Sequence, residues 1–447
     1  MLGEVEARRL CQQILSQCDG LAAEVVLFSE DSAFTHFANN VIHPNAAERN
    51  VSLILRIFTG KHMGTATTHH LDAESLTQVV ARARLNAETN PEDPAYPGLP
   101  EPAIYTPVEA FDPVTADYAP EARARAVGEV CGLAESKGLN ASGTFLTGSG
   151  EVIVANSKGV FAYYTSTNAD FQTMVMSEDS SGRAHASAWR AADIPVEALG
   201  SEAVEKAALG RNPQRVEAGE YTVVLDPYVT EDLLQMLNYH GMSAQDVYNG
   251  RSWMNGLLDQ KAMDERVNLW DDALDPAGLP MPFDFEGVPK QRVAIVQDGV
   301  VMGPVYDRYT AAKMGKTTTG HAMPPTFRGM GPLATNLFMA AGESSVEEMI
   351  HSTEHGLYIA RFWYTRLVHP KGCVTTGMTR DGVFMIENGQ IAYPVKNLSF
   401  TQSYVEALAN VEMIGKDTRL LASEFGGISM RVPALKISRF NFTGSTV

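Results

Sequence analysis

Cysteine is scarce: the 447 residues hold four, Cys11, Cys18, Cys131 and Cys373. None forms a Cys-x-x-Cys pair and their spacing fits no zinc module, which argues against a cysteine-built metal site. Cys11 and Cys18 lie seven residues apart in a helical pattern, so both are expected on one face as buried thiols. Four scattered cysteines in a long chain fit a reducing compartment. Basic residues are also short: Lys+Arg 35 against Asp+Glu 53 leaves a net charge of -18. So acidic a chain is poorly suited to tracking a phosphate backbone, and direct nucleic-acid binding is not expected. No apolar run approaches the ~20 residues that span a bilayer. The opening Met1-Leu2-Gly3-Glu4-Val5-Glu6 lacks the basic and apolar regions of a signal peptide. A cytoplasmic setting with no membrane partner is expected. Internal repeats and low-complexity tracts are missing too.

What is present reads as alternating helices and hairpins. Leu10, Ile14 and Cys18 mark an opening helix. Val51–Phe58, the turn Thr59-Gly60 and Met63–Thr67 make a hairpin. Asp72 caps a helix striped by Leu76, Val79, Val80 and Ala83. Pro91, Pro94, Pro97, Pro100 and Pro102 then disfavour regular structure, the best linker candidate. Helices are predicted over 120–136 and 195–209, with strands between 142 and 176 joined at Asn156-Ser157-Lys158-Gly159. Further on, Asp298-Gly299 and Asn388-Gly389 each sit between apolar runs, a strong hairpin signal. Helices and strands come without regular βαβ alternation, which predicts an α+β fold. N-terminal and central α/β segments (1–105 and 106–215) would precede a large, strand-rich, mainly antiparallel C-terminal domain (216–447).

For chemistry, the sharpest local pattern is His351-Ser352-Thr353-Glu354-His355. Two histidines at i, i+4 on a helix can share a zinc ion, and His-x-x-Glu-His is the inverted zinc-peptidase signature. Against this, Gly356 follows at once and Leu357–Tyr364 reads as a strand, which places the histidines on a last helical turn. There a histidine simply complements the helix dipole. Glu424 is the third-ligand carboxylate considered, though it is 69 residues beyond His355. His69-His70, His240 and His321 read as surface or satisfied core histidines. No Gly-x-Ser-x-Gly elbow is present.

A longer pattern runs through the last half: Tyr221–Pro227, Ala244–Ser252, Asp275–Pro280, Phe283–Pro289, Asp307–Lys313, Arg361–Leu367, Thr379–Gly382, Glu387–Gly389, Pro394–Asn397 and Pro433–Ser438. With His36–Asn40 and the Val51–Gly64 hairpin, these segments resemble the TldD/PmbA family, once described as modulators of DNA gyrase. The resemblance implies a peptidase of two subunits that takes unfolded peptides into an enclosed groove. Its TldD-type subunit carries His-Glu-x-x-x-His after the strand matching Tyr221–Leu225, and a cysteine near its C-terminal end. Those histidines hold zinc and the glutamate polarises a water. Here the matching stretch Glu231–His240 has one histidine, and Gly426–Pro433 has no cysteine.

Both departures place the chain on the PmbA/TldE side. The expectation is then a non-catalytic subunit with no catalytic, metal-binding or cofactor-binding residues of its own, the zinc being in the partner. The partners implied are a TldD-like catalytic subunit and an unfolded peptide, with a homodimer in isolation. Two alternatives stand beside it. One is an active metallopeptidase using His351, Glu354 and His355. The other is a peptide-binding regulator of gyrase or toxin–antitoxin systems.

Overall fold

Strand alternation organises the first half of the computed structural model, which describes residues 1–423 and 427–445. The chain begins with α1 (Glu4–Ser16), β1 (Ala22–Ala38), β2 (Val41–Ile42), β3 (Ala46–Thr59), β4 (His62–Thr68) and α2 (Ala73–Thr89). Then come α3 (Pro113–Ala116), α4 (Pro120–Ser136), β5 (Asn140–Asn156), β6 (Phe161–Met176), β7 (Ser181–Ala188) and α5 (Val196–Leu209). These strands form one antiparallel sheet in the order β4-β3-β1-β5-β6-β7, with β2 on β1. Pairing of β1 with β5, from Glu24↔Asn156 to Phe37↔Gly143, merges segments 1–105 and 106–215 into a single sheet.

Successive side chains point to opposite faces. Val25, Leu27, Leu55 and Ile153 lie under α1 and α2, and Phe145, Phe171, Ala184 and Ala186 continue that face under α4 and α5. The opposite face, with Val26, Ile54, Val154 and Tyr164, receives Phe283 from the second half of the chain. The proline-rich stretch is a packed strap: Tyr96 stacks on Phe58 at 4.2 Å and Asn156 Nδ2 donates to the Pro100 carbonyl at 3.0 Å. Proline denied it regular structure, as the sequence implies, but side-chain contacts hold it to the sheet.

The second half contains β8 (Gly219–Leu225), α6 (Pro227–Tyr239), α7 (Ala244–Tyr248), β9 (Leu269–Asp271), β10 (Val293–Gln297), β11 (Val300–Val301), α8 (Arg308–Met314) and β12 (Asn336–Met339). It continues through α9 (Val346–His351), β13 (His355–His369), β14 (Val374–Glu387), β15 (Gln390–Pro394), β16 (Leu398–Ser403), α10 (Tyr404–Ala409), β17 (Val411–Ala422) and β18 (Ser429–Ser445). Eleven strands make a largely antiparallel sheet in which only β13–β8 and β12–β18 pair in parallel among the described residues. The α+β reading therefore holds. The turns at Asp298-Gly299 and Asn388-Gly389 have positive φ at both residues (49° and 75°, 50° and 74°), the type I′ geometry that Asp-Gly and Asn-Gly favour. Helix α6 packs Val229, Leu233, Leu234 and Leu237 into the main core, while Met349 of α9 covers Val224, Ile386 and Ala434 on the sheet's other face. All four thiols are buried, and burial pushes Cys11 up to about 12. Among the described residues no helix is long and apolar enough to cross a membrane.

Candidate functional site

Strand β8 ends at Leu225, and the next residue, Asp226, caps α6: its carboxylate accepts from the Tyr228 N–H, with Pro227 at the first helical position. One turn on, Glu231, Asp232 and Gln235 face a cavity of about 230 Å³. Arg183 and His185 of β7 and Arg361 to Arg366 of β13 form its other walls. The β7 residues point here because Ala184 and Ala186 take the helix-covered face, leaving the odd positions for this one.

Asp232 is half-buried as a residue, but its carboxylate lies inside the wall. Tyr404 Oη donates to Oδ1 at 2.7 Å and Thr365 Oγ1 to Oδ2 at 2.9 Å. Burial outweighs these donors and the Arg361 charge, pushing the carboxyl up to about 6. Such a group accepts hydrogen bonds and exchanges a proton near neutrality. It is poorly placed to ligate zinc, since each oxygen already serves a hydroxyl and its helix neighbours are a carboxylate and an amide.

The one imidazole on the cavity is committed elsewhere. His185 Nε2 contacts Asp170 Oδ2 at 2.8 Å, and Ser187 Oγ donates to that same oxygen at 2.6 Å. Ser187 Oγ lies 3.3 Å from the same ring nitrogen. A catalytic relay needs the imidazole to bridge serine and carboxylate through its two different nitrogens. Here everything converges on one nitrogen, so the trio braces β7. Above it, Tyr228 Oη accepts from the His185 N–H at 2.8 Å and donates to the His185 carbonyl at 3.2 Å. Arg419 of β17 also donates to Tyr228 Oη.

Beside the cavity, α5 is tied to the second sheet by charge. Lys206 Nζ lies 2.7 Å from Glu202 and 2.8 Å from Asp226. Tyr358 Oη donates to Asp226 Oδ2 at 2.6 Å, and Arg419 pairs with Glu202 at 2.9 Å.

The histidines singled out by sequence lie elsewhere. Helix α9 stops at His351 and β13 starts at His355, so the two never share a helical face. Both are exposed, as is Glu354. His355 packs beside the Tyr221 ring at 5.9 Å, and the Glu354 carbonyl accepts from the Asn388 N–H at 2.7 Å. The i, i+4 platform that the inverted signature requires is therefore not formed: α9 ends at His351, and His355 is already paired with Glu387 in the sheet. Glu424 and Gly426 lie outside the described residues. His240 caps α6 with its pKa lowered by burial. His321 is a satisfied core histidine, its Nε2 2.8 Å from Asp271. Among the described residues no group of three or more His, Cys, Asp or Glu side chains is arranged to hold a metal ion.

Sequence reasoning reached the stretch Glu231–His240 and the segment Arg361–Leu367 but missed Asp170, Arg183, His185 and Tyr404. Tyr404 lies 172 residues from its partner Asp232, and no local pattern signals such a contact.

Family models for the PmbA/TldA metallopeptidase match in three places: domain 1 at residues 23–87, the central domain at 110–210 and the C-terminal domain at 218–444. A metalloprotease from Methanothermobacter thermautotrophicus is 28% identical over 240 residues, 53% of this chain and 52% of that relative. The chain thus spans about half the length of the relatives it matches by sequence. Among solved structures, TldE from Thermococcus kodakarensis superposes with a TM-score of 0.88 at 18% identity, covering 97% of this chain and 100% of that one. A candidate modulator of a DNA gyrase from Thermotoga maritima gives 0.85 at 18% identity, covering 98% and 100%. With the three models matching in order along the chain, and the C-terminal model alone spanning half of it, the chain belongs to the PmbA/TldD metallopeptidase family.

Proposed function

We propose that this chain is the PmbA/TldE-type, non-catalytic subunit of a two-subunit zinc metallopeptidase acting on unfolded peptides. The observation that carries the reading is the face of α6. Where the family's catalytic subunit is expected to present two histidines and a glutamate, α6 turns Glu231, Asp232 and Gln235 to the cavity. Zinc sites are built from imidazole, thiolate and carboxylate donors, and the nearest imidazole, His185, is bonded to Asp170. The residues present do not fit a zinc ion. The likeness to TldE over nearly the full chain supports the same side of the family.

In this reading a TldD-like partner supplies the metal and the cleavage, and this chain closes the space that holds the peptide. Without that partner it forms a homodimer. Its setting is the cytoplasm, which four buried, unpaired thiols fit.

The test is metal analysis and cleavage of an unfolded protein substrate, with the chain alone and mixed with a TldD-type chain. Expected are substoichiometric zinc and no cleavage alone, and cleavage on mixing. One tightly held zinc per chain, or cleavage by the chain alone that Glu354→Gln abolishes, would overturn the proposal.

A further inference from the structure

A second pocket opens where the Phe283–Pro289 turn meets the first sheet. Tyr164, Trp189, Met281, Phe285 and Ile428 wall a space of about 230 Å³, and Lys290 is among the polar residues that line it. Lys290 is 6% exposed. Its ammonium donates to Thr335 Oγ1 at 2.9 Å, and no described carboxylate lies within the 4.0 Å of an ion pair. The two nearest carboxylates are committed to other donors. Asp271 holds His321 and the Asn336 N–H. Asp284 accepts from the Glu286, Val288 and Ala322 N–H groups.

An ammonium has three N–H donors, and a buried charge is costly unless paired and hydrogen-bonded. Here one of the three donors has a described hydrogen-bond partner, and the two aspartates whose charge acts on the ammonium, Asp271 and Asp284, stand beyond ion-pair distance with their oxygens on other donors, beside an aromatic-walled pocket. The space is smaller than the ~300–1,000 Å³ of sites for drug-sized ligands, so the occupant is about one large side chain and its acid group. A phosphate would need more donors than a single ammonium supplies, and its three oxygens would face apolar walls.

We propose that this pocket binds an apolar monocarboxylate, the acid group on Lys290 and the apolar group between Trp189, Phe285 and Tyr164. Two sources share that chemistry: a small free acid, and the C-terminal residue of a peptide. The site does not depend on the subunit reading above, because it is tested on this chain without a partner.

The probe is N-acetylphenylalanine against its amide, titrated into the full chain by calorimetry, with tryptophan fluorescence reporting Trp189. The acid is expected to bind, and the amide to bind at least about tenfold more weakly. Lys290→Met should erase that preference while the circular dichroism spectrum is kept. Met281→Trp, which fills the space, should abolish binding of both probes and serves where Lys290→Met does not fold. Equal affinity for acid and amide in the native chain, or undiminished acid binding by Lys290→Met, overturns the proposal. A peptide ending in free phenylalanine that displaces the small acid identifies a chain end as the source; the small acid binding without such displacement identifies a free acid.

Discussion

Two of the places where the halves of the chain meet handle buried charge in opposite ways. At the α5–α6 junction each ion has a counter-ion within 3 Å: Lys206 with Glu202 and Asp226, Arg419 with Glu202. Burial there raises the Glu202 carboxyl, but Lys206 and Arg419 outweigh it and hold the pKa below the ordinary glutamate value. At the Phe283–Pro289 turn, burial wins. Glu286 reaches Arg56 only at 3.8 Å, because Arg56 is already taken by Glu24 at 2.5 Å. Its Oε2 is buried without a described partner. Burial and the neighbouring Asp284 charge push Glu286 up to about 7, and burial pushes Asp284 up to about 6. The lesson is that depth of burial does not decide the charge state; the geometry of the partner does.

The comparison can be broken most severely at Lys206. Lys206→Met keeps the length of the side chain but leaves Asp226 without its cation and Glu202 with Arg419 alone, and should lower unfolding free energy by about 3–5 kcal/mol, read from denaturant titration. Glu286→Gln acts on the other junction and through pH. The glutamate is ordinary, near 4.5, when unfolded and about 7 when folded, so between those values the folded protein holds a proton that the unfolded chain releases. Stability from this group is present below about 4.5 and is lost as pH rises towards 7. Glu286→Gln should flatten that decline and stabilise the protein at pH 8 by at least about 1 kcal/mol; an unchanged pH profile of melting would remove the contrast between the junctions. The smallest effect belongs to the exposed pair Arg439–Glu220, at 3.1 Å. Arg439→Ala should change stability by less than about 1 kcal/mol, which serves as the surface reference for the two buried sites.

Local order was largely legible in the sequence, and long-range order was not. The helix over Pro120–Ser136 and the turns at Gly60, Asp298-Gly299 and Asn388-Gly389 follow from proline, glycine and periodicity acting over a few residues. The merger of the first two segments through β1 and β5 depends on residues more than a hundred positions apart, which periodicity cannot see. The site divides the same way. The resemblance singled out the stretch Glu231–His240 behind its strand, though not as a helix, whereas the two hydroxyls holding Asp232 come from β13 and α10. Lys290 drew no notice in the sequence, because a lysine is ordinarily solvated and only the packed pocket makes its isolation visible.

The Tyr228 hydroxyl bears on how this protein stays dispersed. Strand β7 ends the first sheet, and an edge strand offers unpaired N–H and C=O groups to any extended chain, including a second copy. By accepting from one main-chain group of His185 and donating to the other, a single phenol occupies both positions that an incoming strand would use there. Charged Arg419 anchors that phenol from β17. The clasp that braces the cavity is thereby also a guard against aggregation, and the loosening of β17 would uncover a sheet edge as well as a wall.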